Sequence, residues 1–109
     1  MKLMIVDNNP RMRAVIRSAF SKARHEFMEL SDGSEAVEAY PDFRPNWILM
    51  DITEDGIEAT RLLKKRYPDA KIVIVSQYDD KNLKDRARRA GATEYVLKED
   101  LTALTGIIF

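Results

Sequence analysis

Apolar positions along the chain change period repeatedly, and the changes divide it into alternating strands and helices. Leu3-Met4-Ile5-Val6 is a short unbroken apolar run, the pattern of a strand buried on both faces. Asn9-Pro10 follows as an N-cap and a proline at the first helical position. Met12, Val15, Ile16, Ala19 and Phe20 then recur with the spacing of one helical stripe. Glu26 to Leu30 reads as a weaker strand centred on Phe27 and Met28. After the loop and cap Ser31-Asp32-Gly33-Ser34, the residues Ala36, Val37 and Tyr40 predict a short helix stopped by Pro41. Trp47-Ile48-Leu49-Met50 is the next buried run. Asp55-Gly56 opens a helix with Ile57, Thr60, Leu63 and Tyr67 on its core face and Pro68 as its stop. Ile72-Val73-Ile74-Val75 is the most β-prone segment of the chain. Asp79 or Asp80 caps a helix whose apolar positions are only Leu83, Ala87 and Ala90, and Gly91 ends it. Tyr95-Val96-Leu97 is a fifth strand, and Leu101, Leu104 and Ile108 mark a short last helix.

Five buried strands interleaved with helices predict an α/β fold in one domain, 1–109. Its sheet is parallel, in order 2-1-3-4-5 with helices on both faces, as in flavodoxin-like folds. Such sheets bind ligands beyond the carboxyl ends of their strands, where the strand order reverses. The residues that leave those ends are Asp7-Asn8, Asp51, Ser76 and Lys98. Asp7 and Asp51 follow neighbouring strands, so their carboxylates face one pocket, and two such anions repel unless a cation or proton intervenes. Mg²⁺ suits them because it takes few protein oxygens and keeps waters for a phosphate ligand. With Lys98 as a compact positive charge and Ser76 as a hydroxyl, the set is the one phosphoryl transfer requires, and Asp51 is the natural acceptor.

Composition narrows the alternatives. The 18 basic and 18 acidic residues balance to a formal net charge of zero, which argues against a domain built to grip nucleic acid or an anionic membrane. With no Cys and one His, thiolate sites, His clusters and Cys or Ser-His-Asp nucleophiles lack their parts. No apolar run approaches the ~20 residues that span a bilayer, and a cytoplasmic setting is expected. The basic residues Lys81, Lys84, Arg86, Arg88 and Arg89 read as a solvated face of the fourth helix. A flavin-phosphate loop and G-x-G-x-x-G are both missing after the first strand.

The chain resembles the receiver domain of two-component response regulators, closest to the branch that carries a helix-turn-helix DNA-binding output. The resemblance rests on L-M-I-V-D-N (Leu3 to Asn8), Trp47 to Asp51 with the later D-G-I-E-A-T, I-V-I-V-S ending at Ser76, and G-A-T-E-Y-V-L-K ending at Lys98. It implies a Mg²⁺-dependent switch in which Asp51 accepts a phosphoryl group from a sensor histidine kinase or phosphotransfer protein. Asp7, Asn8, Asp51 and the Thr53 carbonyl would serve the metal, and Ser76 and Lys98 the phosphoryl oxygens. Tyr95 would swing inward as Ser76 moves, with output through the fourth helix, fifth strand and fifth helix to an output domain or a homodimer. In this reading the domain has no separate substrate turnover and no nucleic-acid contact of its own. The chain departs from the family pattern at Asn8, usually a second acid, and at Glu99, commonly a proline. It also departs in a loop after Asp51 that is shorter by roughly three residues. Those departures motivate the alternative of a degenerate receiver, an interaction module that works without phosphorylation. Ile107-Ile108-Phe109, if exposed, offers a dimer contact.

Overall fold

The computed structural model describes residues 1–108, and Phe109, the last residue of the expected domain and of that apolar trio, lies outside the described residues. The chain runs β1 (Lys2–Val6), α1 (Pro10–Ser18), β2 (Glu26–Leu30), α2 (Gly33–Phe43), β3 (Trp47–Asp51), α3 (Glu54–Arg66), β4 (Ile72–Ser76), α4 (Lys81–Ala90), β5 (Glu94–Leu97) and α5 (Leu101–Ile108). The strands pair in parallel in the order β2-β1-β3-β4-β5, as expected. Successive strand residues point to opposite faces. Met4, Val6, Ile48, Met50, Ile72 and Ile74 therefore pack with α2, α3 and α4, while Leu3, Ile5, Leu49, Val73 and Val75 pack with α1 and α5. Among the described residues no helix is long and apolar enough to cross a membrane.

Most caps fall where the residue types place them. Asn9 accepts from Arg11 N and Met12 N, Asp32 forms a capping box with Glu35, and Asp80 rather than Asp79 caps α4. Gly91 takes the left-handed conformation beyond α4.

Four expectations are corrected. Pro41 does not stop α2, which continues to Phe43. Burial of Tyr40 and Phe43 on either side of the proline outweighs its missing hydrogen bond. The helix ends instead at left-handed Arg44 (φ 50°), whose guanidinium lies over the Tyr40 and Tyr67 rings. Helix α1 ends at Ser18, and i→i−3 bonds from Ala19 and Phe20 tighten the chain so that Phe20 still reaches the core. Val15, one position off the Met12–Ile16–Ala19 line, is exposed. Helix α3 starts one residue before Asp55 under a Thr53 cap and buries Gly56, Ala59, Thr60 and Leu63, leaving Ile57 only half-buried. Small residues stand there because Ala59 lies against Gly33 of α2 and Gly56 against the end of β3, close approaches that hydrophobic periodicity does not report. Ile108 is buried against the α1–α5 side, so it offers no exposed apolar contact.

Candidate functional site

The carboxyl ends of β1 and β3 deliver Asp7 and Asp51 side by side, and the segment after β5 brings Lys98 to both. Lys98 Nζ lies 2.8 Å from Asp51 Oδ1 and 3.0 Å from Asp7 Oδ2. Asp7 is 2 % exposed, and the Asp51 and Lys98 side chains are 16 % and 19 % exposed, so water screens these charges poorly. Burial, the largest influence on Lys98, acts to lower its pKa. The carboxylates of Asp51 and then Asp7 outweigh it and hold the ammonium above its ordinary value of 10.5.

Asp7 is tied at several atoms. Its amide donates to Leu30 O at 3.0 Å, its Oδ1 accepts from Asn9 N at 2.9 Å, and its carbonyl accepts from Arg13 Nη1 at 2.6 Å. Its Oδ2 is ion-paired with Lys98 and is buried without a hydrogen-bond donor among the described residues. Such an oxygen is available to a hard divalent cation, which needs only one or two carboxylates beside its waters. Among the described residues no cluster of three or more His, Cys, Asp or Glu side chains is gathered to hold a metal. A cation here would therefore rest on Asp7, Asp51 and neutral oxygens. Asn8 is exposed and borders the clefts on both sides of Asp51. Thr53 borders one of them, its hydroxyl accepting from Gly56 N at 2.8 Å and its carbonyl from Ile57 N at 2.9 Å as the first bond of α3.

The two clefts differ. One, of about 280 Å³, is polar and lies among Asp7, Asn8, Asp51, Gln77, Tyr78 and Lys98. The other, of about 170 Å³, has Val6 and Met50 in its floor and Ser31, Asp32, Thr53 and Asp55 around it. Ser76 ends β4 fully buried, and its hydroxyl bonds to the Tyr78 main chain, accepting from N at 2.9 Å and donating to O at 3.4 Å. The Tyr78 carbonyl also accepts from the Tyr95 hydroxyl at 2.6 Å, and Lys84, paired with Asp79, lies over the Tyr95 ring. So the structure gathers Asp7, Asp51 and Lys98 directly, and joins Ser76 to Tyr95 through Tyr78.

Sequence reasoning missed three contributors. Gly56 stands so close to Asp51 that a Cβ there would lie 2.3 Å from the Asp51 carbonyl oxygen. Gly33 is as crowded: a Cβ would meet Ala59 Cβ at 2.6 Å, and its amide donates to Asp55 Oδ2 at 2.5 Å. The D-G pair after a strand is the one signal that hinted at them. Arg13 shows only as a basic residue on α1.

Comparison with known proteins agrees with this geometry. The response regulator receiver domain profile matches residues 3–108. The chain is 35% identical over 104 residues to the transcriptional regulatory protein DegU of Brevibacillus brevis, covering 90% of this chain and 44% of that protein. It thus spans less than half the length of that relative. It is 34% identical over 101 residues to the chemotaxis protein CheY of Thermotoga maritima, covering 89% of this chain and 84% of that one. A LuxR-family two-component response regulator from Aurantimonas sp. superposes with a TM-score of 0.88 at 29% identity, covering 98% of this chain and 81% of that chain. Fold, paired acids and matched length converge: the chain belongs to the receiver-domain family of two-component response regulators.

Proposed function

We propose that this receiver is a phosphorylation switch in which Asp51 is the acceptor and a sensor histidine kinase or phosphotransfer protein the donor. The observation that carries the reading is the Lys98 ammonium held between Asp51 Oδ1 and Asp7 Oδ2 at the carboxyl edge of the sheet. A carboxylate oxygen of Asp51 attacks phosphorus. The new P–O bond forms as the P–N bond to the donor imidazole breaks, and the imidazole takes up a proton. Lys98 already stands where negative charge accumulates on the phosphoryl oxygens, so its stabilisation needs little rearrangement. Ser76 supplies a second donor once its hydroxyl leaves the Tyr78 main chain, and Tyr95, bonded to the same carbonyl, follows. The β4–α4 segment, β5 and α5 then carry the change to an output domain or a second copy.

Asp7, Asp51, Asn8 and the remaining lone pair of the Thr53 carbonyl would hold Mg²⁺, which when bound offsets the charge of the acids and the incoming phosphoryl group. With Asn8 in place of a second acid, the affinity should be modest.

Acetyl phosphate with Mg²⁺ should add one phosphate to the wild type and none to Asp51→Asn, read by intact mass. No adduct on either protein would overturn the switch and leave an interaction module that works without phosphate.

A further inference from the structure

Beyond β1 the chain leaves the sheet, and among the described residues the Asp7 carbonyl has no ladder partner. A carbonyl in that position normally turns to water. Here Arg13, six residues on and inside α1, donates Nη1 to it at 2.6 Å. The arginine is itself gripped: its Nε lies 3.3 Å from Glu29 Oε1 on β2, and its side chain is 18 % exposed. Glu29 is held on its other oxygen by Arg17 Nη1 at 3.0 Å, with that guanidinium over the Phe27 ring. A side chain anchored at one end by a carboxylate and at the other by a loop carbonyl fixes the peptide plane it touches.

We propose that Arg13 is a positioning residue of the acidic site, in which its bond to the Asp7 carbonyl, braced by Glu29, sets the peptide between Asp7 and Asn8 and so the oxygens offered to a divalent cation. Asp7 then has its amide, carbonyl and Oδ1 hydrogen-bonded, to Leu30, Arg13 and Asn9, and Oδ2, ion-paired with Lys98 but without a hydrogen-bond donor among the described residues, is the oxygen turned to a cation. The role matters more here than in a site with two consecutive acids, because Asn8 adds no charge to recover a misdirected Asp7. The proposal rests on the phosphorylation-switch reading above, and its test separates the two.

Mg²⁺ binding is measured by calorimetry without a phosphodonor, and acetyl phosphate labelling is followed by intact mass across a Mg²⁺ titration, the midpoint being read from both. Arg13→Met should raise the Mg²⁺ midpoint about tenfold, as loss of a partner that orients a metal ligand does, with the rate at saturating Mg²⁺ near wild type. Arg13→Lys, which keeps the charge and one donor, should fall between. Arg17→Met, which loosens Glu29 but leaves the Asp7 carbonyl bonded, should titrate like wild type. An Arg13→Met midpoint equal to wild type overturns the assignment, as does an equal shift in Arg17→Met. If Arg13→Met does not fold, Arg13→Lys decides: a raised midpoint supports the role and an unchanged one removes it. A wild type that takes no label defeats the phosphorylation-switch reading and this proposal together, whereas normal labelling with unshifted variants defeats this one alone.

Discussion

Asp51 stands between two flanks built on different physics. Toward α2 and α3, glycines meet their neighbours with no room for a side chain: Gly56 packs on the Asp51 carbonyl, Gly33 on the Ala59 methyl, and the Asp55 carboxylate accepts from the Gly33 amide. Toward β4 and β5 the contacts are hydroxyls and long cations, with Ser76, Tyr95 and Lys84 arranged around the Tyr78 carbonyl and the Tyr95 ring. The first flank cannot shift without creating overlap, because packed interiors have no slack at the scale of a methyl group. The second can exchange partners at a net cost of about 1 kcal/mol per hydrogen bond. The inexpensive rearrangement therefore lies on the β4–β5 side, and the short β3–α3 connection is its fixed reference.

The strongest way to break that contrast is Gly56→Ala. A methyl group 2.3 Å from the Asp51 carbonyl oxygen must push α3 off the sheet. The expected loss is about 3 kcal/mol, visible as a lower urea midpoint with an unchanged slope. A midpoint near wild type would show that this flank yields after all.

Lys98→Met tests the element between the flanks. It leaves Asp7 and Asp51 facing each other without their cation, for an expected loss of about 2 kcal/mol near neutral pH, reduced from the fully buried case by partial exposure. The folded Lys98 pKa lies above its ordinary 10.5, so the stabilisation is complete below that value and fades as pH rises through the folded value. Urea midpoints of wild type and variant should differ by a constant amount at neutral pH and converge in strong alkali. A gap that stayed constant to the alkaline limit would mean the lysine acts by packing alone.

Tyr95→Phe sharpens the other side with the smallest effect. It removes one partly exposed hydrogen bond to Tyr78 O, for a loss under about 1 kcal/mol. Amide exchange should quicken in the segment from Gln77 to Asp80 and stay unchanged in the first turn of α3. Equal loosening of both would erase the distinction between the flanks.

Each element visible along the chain depends on its own residues. The strands at Leu3–Val6, Trp47–Met50 and Ile72–Val75 announce themselves because a strand covered on both faces must be apolar throughout. Asn9 and Gly91 mark helix ends because capping and left-handed geometry select residue type locally. Of the two common orders for such sheets, the one usual for five strands is 2-1-3-4-5, and parallel strands put the residues after β1, β3, β4 and β5, Asp7, Asp51, Ser76 and Lys98, at one edge. What tertiary structure alone decided is how closely the elements approach and what their ends touch. Pro41 stays inside α2 because Tyr40 and Phe43 are buried around it. The face of α3 turns to Gly56 and Ala59 because the end of β3 lies against the first and Gly33 of α2 against the second, and Arg13 bonds to the Asp7 carbonyl while paired with Glu29. Periodicity reports which side of one element avoids water. It carries no information on the distance to the next element, and that distance is what leaves no room beside Gly56 and brings Arg13 onto the Asp7 carbonyl.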